Sequence, residues 1–83
     1  MKVLYFAWLR DRVGVAEEIV EPPIEVTTVG ELIAWLAQRS ARHGEAFADP
    51  AIVRCAINLD YAKADESFSR TDEIAFFPPV TGG

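Results

Sequence analysis

Only one stretch of this chain pairs a helix-start signal with sustained helical spacing, and short alternating stretches bracket it on both sides. Thr28 followed three residues later by Glu31 forms a capping box, in which each side chain satisfies a backbone amide at the other end of the first turn. Val29, Leu32, Ile33, Leu36 and Ser40 then fall on one side, while Glu31, Ala34 and Gln38 lie on the other. A helix with one apolar stripe needs a surface to lie on, and here that surface is a sheet.

The strands read as follows. Residues 2–8 are rich in aromatic and aliphatic side chains, and the charged stretch 9–14 after them reads as a turn. Residues 17–21 form a second short strand, stopped by Pro22-Pro23, whose missing amide hydrogens block further pairing. These two make a hairpin. His43-Gly44 supplies a helix stop, and the segment up to Pro50 reads as loop. Residues 52–58 alternate, with Val53, Cys55 and Ile57 on one face and Arg54, Ala56 and Asn58 on the other. Residues 60–71 are polar and loop-like. Residues 73–77 alternate again, Ile74 and Phe76 against Ala75 and Phe77, before Pro78-Pro79 ends the strand. The order strand, strand, helix, strand, strand predicts an α+β fold. One main helix packs on one face of a mixed sheet, and the first and last strands lie side by side in its middle, the β-grasp arrangement. The predicted domain is residues 1–77, with 78–83 an extended tail.

With 83 residues, 51% of them hydrophobic, there is room for one core. A domain of this size buries only about 60 to 65% of its unfolded surface, so chemistry is expected at an edge or a terminus instead of in a deep pocket. Thirteen acidic and eight basic side chains give a net charge of −5, and the basic residues are scattered along the chain. That argues against nucleic acid and for a partner with a basic docking face. Cys55 is the only cysteine, which excludes an internal disulfide and a four-thiolate iron–sulfur site and fits a reducing, cytoplasmic setting. The apolar run 3–9 is too short to span a bilayer and ends at Arg10-Asp11-Arg12, so neither a membrane segment nor a signal peptide is expected.

No phosphate-binding glycine loop, GxGxxG turn, GxSxG elbow or clustered His, Cys and carboxylate set occurs, and no metal site is expected. His43 reads as a structural side chain at a helix end, Cys55 as a small buried hydrophobe, and Trp8 and Trp35 as covers for core edges. The C-terminus differs. Pro78-Pro79-Val80-Thr81-Gly82-Gly83 prolongs the last strand as a stiff arm ending in two residues without side chains, which a narrow channel would admit where any Cβ would clash. A terminal carboxylate is a poor acyl donor until a partner converts it to an acyl adenylate.

The ending Asp72-Glu73-Ile74-Ala75-Phe76-Phe77-Pro78-Pro79-Val80-Thr81-Gly82-Gly83 resembles the signature of the small-subunit family of molybdopterin synthase, sulfur carriers related in fold to ubiquitin. Weaker matches run through Val3-Leu4-Tyr5-Phe6-Ala7, Arg10 with Gly14, Thr28-Val29 and Ala56-Ile57-Asn58, so the resemblance spans the chain. It implies that Gly83 is adenylated by a ubiquitin-activating-like enzyme using ATP and then thiocarboxylated from a sulfur donor protein. It further implies that Gly82 and the arm thread into the large synthase subunit, where sulfur passes to cyclic pyranopterin monophosphate to build the molybdopterin dithiolene. The family complex is a heterotetramer of two large and two small subunits. On this reading Phe77, Pro78, Pro79, Val80 and Thr81 meet partners, the chain binds no cofactor, and the active-site groups reside on the large subunit. The family usually carries Gly-Asp before the last strand; this chain has Arg70-Thr71-Asp72-Glu73, with no residue suited to positive φ, which implies a longer turn. A thiamin-pathway sulfur carrier, a ubiquitin-like modifier and a plain interaction domain with an idle tail are the rivals. The Phe-Pro-Pro-Val run favours the first reading over the thiamin one.

Overall fold

A computed structural model describes residues 1–79. Its axis is the parallel pair of β1 (Lys2–Tyr5) and β5 (Glu73–Phe77), in which Val3 faces Ile74 and Tyr5 faces Phe76. Parallel neighbours need a crossover, and here the rest of the chain supplies it. β2 (Glu17–Ile19) pairs antiparallel with β1, β3 (Arg54–Ile57) antiparallel with β5, and β4 (Asp60–Ala62) antiparallel with β3. The sheet order is β2-β1-β5-β3-β4, the mixed β-grasp arrangement expected from the element order.

The main helix, α2 (Val29–Ala37), begins as its capping box dictates. Thr28 Oγ1 accepts from the Glu31 amide at 3.3 Å, and Glu31 Oε1 accepts from the Thr28 amide at 3.0 Å. Val29, Leu32, Ile33 and Leu36 are buried against the sheet. Beneath them Tyr5 stacks on Phe76 at 6.3 Å, and Phe47 meets Phe76 edge-on at 5.1 Å. Such aromatic pairs add about 0.5 to 1.5 kcal/mol beyond their buried area.

Three sequence expectations are corrected. The charged stretch read as a turn is mostly helix: α1 (Ala7–Val13) buries Leu9 and Val13, four residues apart, and sets Arg10 and Arg12 in its last turn, where cations suit the dipole. β1 therefore ends at Tyr5. Gly14 closes the helix at φ 97°, donating its amide to Arg10 O at 2.8 Å. A Cβ there would also press on the Arg42 guanidinium at 3.0 Å.

The second correction is α3 (Ala41–Ala46), which runs through His43-Gly44 instead of stopping there. Ser40, expected on the α2 stripe, is its N-cap and accepts from the His43 amide at 3.1 Å. The third is β4, within a segment read as loop. Asn58 (φ 48°) and Leu59 (φ 74°) form a two-residue reversal with positive φ at both positions, as tight hairpins require. Ten residues then connect β4 to β5 without any positive φ, so the departure at residues 70–73 is accommodated by length. Asp72 fastens that connection, accepting from Ser69 N at 2.7 Å and Asn58 Nδ2 at 2.8 Å.

Candidate functional site

Because strand side chains alternate, the register sorts them into two faces. The helix-covered face holds Val3, Tyr5, Ile74, Phe76 and Cys55, all buried. The other face carries no helix, and its side chains form rows. At the end where β5 stops, Phe6, just past β1, lies beside Phe77, which is paired with Arg54. Lys63, one residue beyond the Cys55–Ala62 pair, completes that row. The next row is Glu17, Leu4, Ala75, Ala56 and Tyr61. The last holds Ile19, Lys2 and Glu73.

Phe77 thus stands on the open face, as its alternation predicts, half-buried, with its ring 5.7 Å from that of Tyr61. Tyr61 is 78% exposed and Phe6 47%. Phe77 and Tyr61 in contact, with Phe6 one step beyond the Tyr5–Phe76 pair, place an apolar strip beside the point where Pro78 and Pro79, both half-buried, leave the sheet. Val80, Thr81, Gly82 and Gly83 lie outside the described residues. Phe6, Tyr61, Arg54 and Lys63 are the members of this region to which the sequence reading gives no partner role; alternation puts Arg54 outward, while Tyr61 and Lys63 belong to or adjoin the strand read as loop.

The remaining chemistry-bearing residues are structural. Cys55 is buried, and burial pushes its thiol up to about 12, so at neutral pH it is protonated and a poor nucleophile. His43 joins a network instead of a ligand set: its Nε2 lies 2.7 Å from Glu18 Oε2, and its Nδ1 lies 2.7 Å from Ser40 Oγ. Tyr5 donates its hydroxyl to the same Glu18 oxygen at 2.6 Å. Burial alone would raise the Glu18 carboxyl, but the hydrogen bonds from His43 and Tyr5, with Arg39 nearby, outweigh it and hold the group below its ordinary value. These contacts pin α3 to β1 and β2. Trp8 lies under the Arg12 guanidinium at 4.5 Å and Trp35 under that of Arg39 at 4.9 Å, which makes both rings edge covers.

Among the described residues no cluster of His, Cys and carboxylates could hold a metal ion, and no helix is long and apolar enough to cross a membrane. What the geometry offers is an apolar strip, a cationic row end and a strand that runs into Pro78-Pro79. Such a surface can dock and deliver.

Known proteins place this geometry. The chain is 37% identical to the molybdopterin synthase sulfur carrier subunit of Escherichia coli, covering 100% of this chain and 99% of that one. Among solved structures, a Pyrococcus furiosus protein assigned as molybdopterin converting factor, subunit 1, superposes with a TM-score of 0.76 at 35% identity, covering 95% of each chain. SAMP1 from Haloferax volcanii, a small archaeal modifier protein, superposes with a TM-score of 0.74 at 26% identity, covering 100% of this chain and 98% of that one. Residues 3–83 match the ThiS family. The chain therefore belongs to the ThiS family of ubiquitin-like sulfur carriers and is similar over its whole length to the sulfur carrier subunits of molybdopterin synthase.

Proposed function

We propose that this chain is the sulfur-carrying small subunit of a cytoplasmic molybdopterin synthase. The observation that carries the reading is the full-length similarity to molybdopterin synthase sulfur carrier subunits, in a chain whose last strand runs directly into Pro-Pro-Val-Thr-Gly-Gly. A ubiquitin-activating-like enzyme converts the Gly83 carboxylate to an acyl adenylate at the expense of ATP, releasing pyrophosphate. Sulfur from a donor protein then displaces AMP and leaves a thiocarboxylate. The large subunit receives the arm, with Gly82 passing where side chains cannot, and the terminal sulfur is transferred to cyclic pyranopterin monophosphate on the way to the dithiolene. The chain contributes no catalytic group and binds no cofactor in this scheme. It contributes reach, a bare backbone at its end, and the open face around Phe77 by which partners hold it.

The test is the mass of the intact chain after incubation with its activating enzyme, ATP and a sulfur source. One terminal oxygen should be replaced by sulfur, and only when the enzyme is present. A thiocarboxylate formed by the chain alone would remove the central claim. The likeness to SAMP1 favours a second reading, a protein modifier. An acyl adenylate without sulfur transfer, together with lysine conjugates accumulating in cells, would move the assignment there.

A further inference from the structure

From the row at the tail end of the open face, we infer that Arg54 and Lys63 form a cationic clamp that meets a carboxylate-bearing rim on the large synthase subunit. The inference rests on the docking reading of the Phe77 face and adds the charge of its partner.

Arg54 and Lys63 sit across from each other on β3 and at the end of β4, both exposed, in line with Phe77. Like charges directly opposite on neighbouring strands destabilise a sheet, so folding does not account for this placement. Neither has a carboxylate within 4.0 Å among the described residues, although the chain carries 13 acidic side chains. Arg54 donates to the backbone oxygens of Ala51 at 2.9 Å and Val53 at 3.4 Å, which leaves its charge uncompensated. Glu66 lines the same corner and accepts the Lys63 backbone amide at 3.1 Å, so its charge offsets part of the positive charge and leaves two cations against one carboxylate. Asp49 accepts from the Ala51 amide at 3.1 Å and, among the described residues, makes no ion pair with Arg54.

The other acids of the open face lie far off. Glu73 is two rows from Phe77, about 13 Å at strand spacing, and Glu17 is three strands from Arg54, about 14 Å. Both exceed the screening length of about 8 Å at physiological salt. Glu17 is also paired with Lys2 at 3.0 Å. An acidic chain therefore turns a locally positive corner toward whatever receives its arm. A cavity of about 420 Å³ is lined by the two cations, Tyr61, Phe77 and Glu66, so an incoming acidic loop can seat an apolar side chain there while its carboxylates face Arg54 and Lys63. Overall charge suggests a basic docking face on partners; at this corner the complement is acidic.

Exposed rim charges act mainly on association rate and its salt dependence. The experiment is stopped-flow or surface-based binding of the full chain to its cognate large subunit, comparing wild type with Arg54→Glu/Lys63→Glu and Arg54→Gln/Lys63→Gln. The charge reversal is expected to slow association roughly tenfold at low salt, with dissociation nearly unchanged. The neutral pair should fall between, and the difference should vanish near 1 M salt, where screening reaches about 3 Å. The glutamine pair, which removes a repulsion, keeps the test informative should the reversal fold poorly. Wild-type association by both pairs while Phe77→Ser binds weakly would overturn the clamp and leave the docking face standing. Unchanged binding by Phe77→Ser would remove the docking face and the clamp with it.

Discussion

The two faces of the sheet are built from alternate residues of the same strands, yet one is sealed under helices and the other is open to solvent. Phe76 and Phe77 are neighbours in β5; the first has no exposed surface and packs against Tyr5 and Phe47, while the second leans on Tyr61 in the open. On the covered face, Val3, Tyr5, Cys55, Ile74 and Phe76 close beneath α2 and α3. On the open face, Phe6 and Tyr61 keep much of their area in water. A chain this small has one core to spend its apolar residues on, and residues of the same type outside it are free for partners.

Replacing adjacent phenylalanines breaks or sharpens that contrast. Phe76→Ala should cost about 3 to 5 kcal/mol of folding stability in a denaturant titration, because it removes a fully buried ring from a packed core. That is a large share of the roughly 5 to 15 kcal/mol typical of a domain. Phe77→Ser should shift the same titration by less than about 1 kcal/mol and weaken partner binding by about 2 kcal/mol. Equal stability losses at the two positions would mean the open face belongs to the core.

The smallest expected effect concerns the polar edge of the covered face. Glu18 has its folded-state pKa depressed, so the stability it contributes is fully present above the unfolded carboxylate value and is lost as pH falls through the folded one. Melting temperature should therefore decline from about pH 5 downward. In Glu18→Gln that part of the decline should be missing; an identical acid profile would show that the contacts to Tyr5 and His43 carry no linkage.

How much of this was readable in advance depended on whether the cause was local. The start of α2 and the whole of β5 were legible because a capping box and a two-residue period are written in consecutive residues. The α1 helix was not, because it turns only Leu9 and Val13 inward and starts from Ala7 at φ 53°, a conformation its residue type does not announce. The β3–β4 hairpin was hidden for a similar reason: its positive-φ pair is Asn58-Leu59, without a glycine. Missing β4 also hid Lys63, which completes the row of Phe77 and Arg54, and Tyr61 in the row beside it. Phe77 could be placed from alternation alone, whereas its neighbours required the register.

The proposed carrier role rests on the last two residues. Gly82 and Gly83 lie beyond Pro78-Pro79, where losing side-chain-free residues removes no apolar area from the core, so deleting Gly83 or making Gly82→Val should leave the melting curve unchanged. Deleting one residue withdraws the carboxylate by up to about 3.5 Å, while a misplacement of about 1 Å at a reacting centre can cost roughly a hundredfold in rate. In a single-turnover assay of dithiolene formation with the large subunit, both variants should be inactive although fully folded. Synthesis at the normal rate by the shortened chain would contradict the proposed role of the C-terminus as the sulfur-carrying end.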